Sequence, residues 1–255
     1  MFLPRVIPVL LLKGKGLVKT TKFKDPRYLG DPINAVKIFN DLKADELVFL
    51  DITASKENRT ISVDLVKDIG DEAFMPFGVG GGIRDITQIE LLLKAGAEKV
   101  IINTNFFIRP ALIKEASSIF GSQSIVVSID IKKTFFGNYE CWIKDGSENT
   151  KINPVDLAKR AEDAGAGELI INSIDLDGLM TGYDIELIKN IADKVSVPVV
   201  ACGGAGKLEH LKNGYFDGKA HALSAGSMFV YHGPRKAVLI NYPSKSELKQ
   251  LFDLK

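Results

Sequence analysis

The chain has 255 residues, 45% hydrophobic and 25% charged, and its 33 Lys and Arg against 32 Asp and Glu leave a net charge of +1. Those proportions exclude intrinsic disorder and collagen-like repeats, and the charge balance leaves no bulk field to attract nucleic acid. No run reaches the roughly 18 apolar residues of a membrane span, and the length suits one α/β barrel of about 250 residues.

In chain order, short apolar runs alternate with amphipathic stretches. The pattern predicts strands at 5–12, 46–51, 76–79, 99–102, 124–131, 168–172, 198–201 and 220–224, and helices at 32–42, 86–95, 111–120, 154–164 and 185–194. Strands that are apolar throughout mark a parallel sheet covered by helices, and eight right-handed βα units close a (β/α)8 barrel. Phe135-Phe136-Gly137-Asn138-Tyr139, running on to Cys141-Trp142, reads as a hairpin after the fifth strand. No linker interrupts the pattern, so one domain is expected over 1–255. The apolar stretch at 6–12 lacks a small-residue cleavage site. Cys141 and Cys202 make neither a CxxC pair nor a zinc spacing. A cytoplasmic protein with two reduced thiols is expected. His210, His221 and His232 follow no ligand pattern, and neither a metal nor a redox cofactor is implied.

The chain also echoes itself. Asp45-Glu46-Leu47-Val48 matches Gly167-Glu168-Leu169-Ile170 and Gly81-Gly82 matches Gly203-Gly204, both 122 positions apart, while 9–13 matches 128–132 at an offset of 119. Two half-barrels, roughly 1–122 and 123–255, account for all three matches.

Chemistry in such barrels sits at the C-terminal ends of the strands. Gly81 and Gly82 follow the third strand and Gly203 and Gly204 the seventh, each opening a helix, while Asn103-Thr104 and Gly226-Ser227 follow the fourth and eighth. Glycines there let backbone amides approach a phosphate, and a helix N-terminus favours its charge; a tight βα turn would also use glycine. Two such loops related by the repeat imply a long ligand with a phosphate at each end. Asp130 ends the fifth strand and Asp51, Asp175 and Asp177 end the second and sixth, as candidate acids or bases; Asp175 or Asp177 taken singly reads rather as a helix N-cap or loop turn. The counterpart of Asp130 in the first half is Leu11. Arg5, Glu46, Lys99 and Glu168 begin strands one, two, four and six. They form either a closed ring on the barrel floor, because buried charges require partners, or four solvated charges.

These residues together resemble the cyclase subunit of imidazole glycerol phosphate synthase, the HisF family. The most specific stretches are Phe49-Leu50-Asp51-Ile52-Thr53-Ala54-Ser55, Val79-Gly80-Gly81-Gly82-Ile83-Arg84, Asp175-Leu176-Asp177-Gly178 with Gly182-Tyr183-Asp184, and Gly203-Gly204-Ala205-Gly206-Lys207-Leu208-Glu209-His210. The resemblance implies a barrel that takes ammonia from a HisH-like glutaminase docked at its floor and delivers it to a bisphosphorylated nucleotide at its top. It implies that Arg5, Glu46, Lys99 and Glu168 form the ammonia gate and that Glu98 faces the glutaminase. It further places Lys19 on a mobile first loop, with Lys19, Asp51 and Asp177 at the substrate and Asp130 in catalysis.

The departures are Leu11 in place of the first-strand catalytic aspartate, Gly78 where a threonine is common near the pocket, and an altered tail over 230–243. They resemble a HisF-like subgroup of surface-polysaccharide biosynthesis, in which ammonia and a sugar amidotransferase convert an acetamido into an acetamidino group. That repurposed role is the leading expectation. The alternatives are a histidine-pathway cyclase in which Asp130 suffices, alone or with Asp51 or Asp177, and a non-catalytic subunit that activates the glutaminase.

Overall fold

The computed structural model describes residues 3–253. Eight parallel strands form the expected barrel: β1 (Arg5–Lys13), β2 (Leu47–Asp51), β3 (Phe77–Gly80), β4 (Lys99–Ile102), β5 (Ile125–Lys133), β6 (Glu168–Ser173), β7 (Val199–Cys202) and β8 (Ala222–Ala225). Each pairs with the next, and β8 pairs back on β1 with Arg5 opposite Ala222, which closes the sheet without an edge.

Eight helices cover the outside: α1 (Pro32–Asp41), α2 (Val63–Glu72), α3 (Ile86–Lys94), α4 (Ala111–Phe120), α5 (Pro154–Asp163), α6 (Ile185–Ala192), α7 (Leu208–Phe216) and α8 (Lys245–Phe252). Local chemistry sets their starts. The Asp31 carboxylate accepts from the Asn34 amide at 2.9 Å with Pro32 at the first helical position, and Asn153 before Pro154 repeats the device in the second half. Helix α7 is the one expected to open from the second glycine loop, whereas α2 and α8 lie outside the predicted set.

Strand side chains alternate between two cores. Val6, Leu10, Leu47, Phe49, Phe77 and Val79 face the helices, while Ile7, Val9, Val48, Ile101, Val126, Ile170, Val200 and Ala222 form a separate cluster along the barrel axis. The same inward parity carries Arg5, Glu46, Lys99 and Glu168 at the floor and Leu11, Asn103, Asp130 and Asn172 at the top.

Two hairpins rise from the top rim. Beyond β5, Lys133 pairs with Tyr139 in an antiparallel strand, Tyr139–Ile143, as the turn residues predict. Beyond β1, Gly16–Thr21 and Lys24–Gly30 form a second hairpin with Leu11 opposite Val18. Lys19, expected on the first loop, lies on a paired strand of this hairpin and is only 6% exposed. Among the described residues, no helix is long and apolar enough to cross a membrane.

The divergent tail returns to the floor, where the Tyr242 hydroxyl donates to the Val6 carbonyl (2.8 Å) and accepts from the Asp45 amide (3.3 Å). Tyr242→Phe leaves these partly buried groups unpaired and is expected to cost about 1–2 kcal/mol. Thermal unfolding checks this as a fall in Tm of several degrees.

Candidate functional site

The floor charges form a closed ring. Arg5 donates to both Glu46 and Glu168, and the Lys99 Nζ lies 2.9 Å from the remaining oxygen of each. The glutamate side chains are 4% and 8% exposed, a burial that ionised carboxylates tolerate only when paired. Glu98, just before β4, is exposed beside this floor. Gly78 pairs with Val48 and Lys99, and a Cβ there would meet Ile101 at 3.3 Å and Lys99 at 3.5 Å. It borders the ring, so its expected position near the top pocket is corrected.

Above the ring, Ile7, Val48, Val126, Ile170 and Val200 line a narrow apolar space that shares Val9 and Ile101 with the basin at the top. The basin holds about 1150 Å³, its open mouth included. It is lined by Leu11, Lys19, Asp51, Gly81, Gly82, Asn103, Thr104, Asp130, Asp177, Gly203, Gly204, Gly226 and Ser227, which unites the predicted top-site residues in one cavity.

The glycine loops are built alike. A Cβ on Gly82 would lie 1.8 Å from the Arg59 carbonyl, and one on Gly204 2.0 Å from the Gly182 carbonyl, so neither position accepts a side chain. Ile61 donates to the Gly81 carbonyl at 3.0 Å, and Gly182 to that of Gly204 at 2.8 Å. Short helices, Thr104–Ile108 and Ser227–Val230, start beside these loops. The Ser227 hydroxyl is buried and has no hydrogen-bond partner among the described residues.

The carboxylates differ in their engagements. Asp51 accepts from the Thr53 and Ala54 amides (3.1 and 3.2 Å) and pairs with Arg59, so it braces its own loop. Asp175 accepts from the Lys133 amide at 2.9 Å, the turn role open to it. Asp177 binds Lys19 Nζ at 2.7 Å and the Thr20 hydroxyl at 3.0 Å. Asp130 forms no salt bridge among the described residues. Its oxygens accept from Asn103 Nδ2 (2.9 Å) and Asn172 Nδ2 (3.0 Å), so the Asn103 side chain holds Asp130 and leaves only its backbone for an anion. Burial pushes the Asp130 carboxyl up to about 7 against those two amides, helped by the charges of Asp145 and Asp177.

Sequence reasoning missed four contributors. Arg59 anchors Asp51, Asn172 orients Asp130, and Asp145 enters the basin from the β5 hairpin. His210 accepts from the Gly206 amide through Nδ1 at 3.0 Å, bracing the second glycine loop. The pairing of Asn172 with Asp130 was readable, since both inward-facing positions end adjacent strands; the other three depend on loop paths.

A family model described as "Histidine biosynthesis protein" matches residues 5–234. A Pseudomonas aeruginosa protein named "Putative imidazole glycerol phosphate synthase subunit hisF2" is 47% identical over 244 residues, covering 96% of this chain and 97% of its own. A Leptospira borgpetersenii protein named "Putative imidazole glycerol phosphate synthase subunit HisF" is 47% identical over 253 residues, covering 99% and 100%. An Alkaliphilus metalliredigens protein named "Imidazole glycerol phosphate synthase subunit HisF" is 41% identical over 232 residues, covering 91% and 92%.

The raised Asp130 carboxyl sets a pH dependence of stability. From about pH 4, where the unfolded aspartate ionises, to about pH 7, the folded protein holds a proton that the unfolded chain has released. Stability from this group therefore falls as pH rises through that window and is level above it. Asp130→Asn abolishes the slope because asparagine does not titrate, and a flip of Asn172 would offer its unpaired Oδ1 to the new amide. The Tm of the variant minus that of wild type should grow from pH 4.5 to pH 8; a constant difference would contradict this.

Proposed function

The chain belongs to the HisF family of histidine biosynthesis proteins, and on that premise we propose that it is the ammonia-using, cyclase-type subunit of an imidazole glycerol phosphate synthase. The observation that carries the reading is the stacking of three features on one axis. Two glycine loops of like build face a single basin, the apolar space lies beneath it, and the charged ring closes the floor.

The glycine loops bind a phosphate at each end of a long substrate. Gly81 and Gly82 act with Asn103 and Thr104, and Gly203 and Gly204 act with Gly226 and Ser227. Lys19 and Asp177 hold each other at the mouth and contact the substrate between its phosphates, with Asp51 fixing the adjoining loop. Asp130, near half-protonated at neutral pH, serves as proton donor and acceptor. Ammonia enters from a HisH-like glutaminase docked on the floor near Glu98, forming a heterodimer. The ring of Arg5, Glu46, Lys99 and Glu168 is the gate, and the apolar walls above it disfavour the charged ammonium form.

Leu11 is the observation that favours the second reading, supply of ammonia for acetamidino sugars with a sugar amidotransferase. The site supports it less well. A nucleotide sugar carries its phosphates together at one end, whereas the two glycine loops follow β3 and β7. The names of the relatives also favour the synthase. A scaffold that only activates a glutaminase has no use for the gate or the apolar space.

The test compares turnover of the bisphosphorylated nucleotide driven by ammonium salt with turnover driven by glutamine and the glutaminase. Wild type is expected to work in both modes. Lys99→Ala, which breaks the buried ring at about 3 kcal/mol in stability, is expected to lower the glutamine-driven rate at least tenfold and the ammonium-driven rate little. Equal effects on both would remove the gate from the account.

A further inference from the structure

The basin contains a carboxylate that neither the glycine loops nor the Asp130 assignment uses. We propose that Asp145 is the second proton-transferring carboxylate of the basin, filling the role for which position 11 carries only a leucine; the inference rests on the cyclase reading and deepens it.

Asp145 sits in the turn between strands Tyr139–Ile143 and Glu148–Asn149, where Lys144, Asp145 and Gly146 have φ of 51°, 59° and 68°. Left-handed backbone is costly for a residue such as Lys144 and persists where surroundings enforce it. Here they do. The Lys144 amide donates to the Thr104 hydroxyl at 3.0 Å, and Lys132 Nζ donates to the Gly146 carbonyl at 3.0 Å. A Cβ on Gly146 would come within 3.0 Å of Phe23, from the other hairpin. The clamped turn places the Asp145 side chain, 19% exposed, in the wall of the basin.

Its engagements differ from those of the other acids. Asp51 is committed to its loop and Asp177 to Lys19 and Thr20. Asp145 has one hydrogen-bond partner among the described residues, Lys56 Nζ at 2.8 Å on Oδ2. Lys56 is 53% exposed, so the pair is weakly held and yields to a ligand. The charged groups around Asp145 are Lys56, Asp130 and Asp177 with its bound Lys19, and Lys132 reaches the neighbouring carbonyl. Burial raises the Asp145 carboxyl while Lys56 opposes the rise.

A synthase that builds an imidazole ring from ammonia condenses it with a carbonyl group. The nitrogen lone pair forms the C–N bond as the carbonyl π pair moves to oxygen. That oxygen takes the proton of neutral Asp130, and the nitrogen gives one to the Asp145 carboxylate. In the dehydration that follows, Asp145 returns its proton to the departing hydroxyl, which leaves as water. The nitrogen's next proton goes to Asp130, restoring both groups.

The experiment follows ammonium-driven turnover against pH for wild type, Asp145→Asn, Lys56→Met and the double variant Leu11→Asp with Asp145→Asn. Asparagine tolerates positive φ, so the turn survives the substitution, and circular dichroism confirms it. Asp145→Asn is expected to lower kcat about 100-fold and erase the acid limb of the profile. Lys56→Met should move that limb to higher pH by removing the charge that keeps Asp145 ionised, and Leu11→Asp should recover part of the lost rate. An Asp145→Asn protein within twofold of an active wild type, with the same profile, overturns the inference. A wild type silent with ammonium overturns the cyclase reading itself, and the inference with it.

Discussion

Each oxygen of Glu46 and Glu168 is matched to one cation, Arg5 on one side and Lys99 on the other. An eight-stranded barrel ordinarily fills its axis with interleaved side chains. Here the bottom layer is closed by opposite charges, and the layers above it include Gly78, Gly80, Ser128, Ala222 and Ser224. To open as the proposed gate, a floor closed by salt bridges would need only rotation of Arg5 or Lys99, without repacking the strands. A floor closed by branched apolar side chains would have to break its packing. Above the ring, the narrow apolar space meets the basin at Val9 and Ile101.

The top of the barrel repeats itself structurally and diverges chemically. Gly82 and Gly204, 122 positions apart, are each pressed against a loop carbonyl, and Leu11 and Asp130 both stand at the root of an antiparallel hairpin. The acid survives in only one half. Burying Asp130 without an ion pair among the described residues costs stability above about pH 4 and keeps its carboxyl near the pH at which it can both give and take a proton. Asn103 and Asn172 hold it by hydrogen bonds without neutralising it, which is how a buried carboxyl can be oriented and remain poised.

The barrel strands were legible because each is a short apolar run and because inward parity at the strand starts selects Arg5, Glu46, Lys99 and Glu168. The top-site glycines were legible from the repeat. The hairpin bearing Lys19 was not, since Lys24–Gly30 is mostly exposed and polar and carries no period-two apolar pattern. Helix α2 was hidden for a related reason: only Val66 and Ile69 are buried in it, so its apolar face is narrow. Asp145 depends on three successive left-handed residues and on contacts from two other loops, none of which spacing encodes. Asp51 looked like a free acid until Arg59, eight residues on, was seen to fold back over it.

The central claim is that two separated anion sites face one basin. A crystal structure of the wild-type protein grown in phosphate tests it most directly. The account predicts two phosphate ions, one on the backbone of Gly81, Gly82 and Thr104, the other on Gly203, Gly204 and the Ser227 hydroxyl. Phosphate bound at only one of these loops, or at neither, would contradict it.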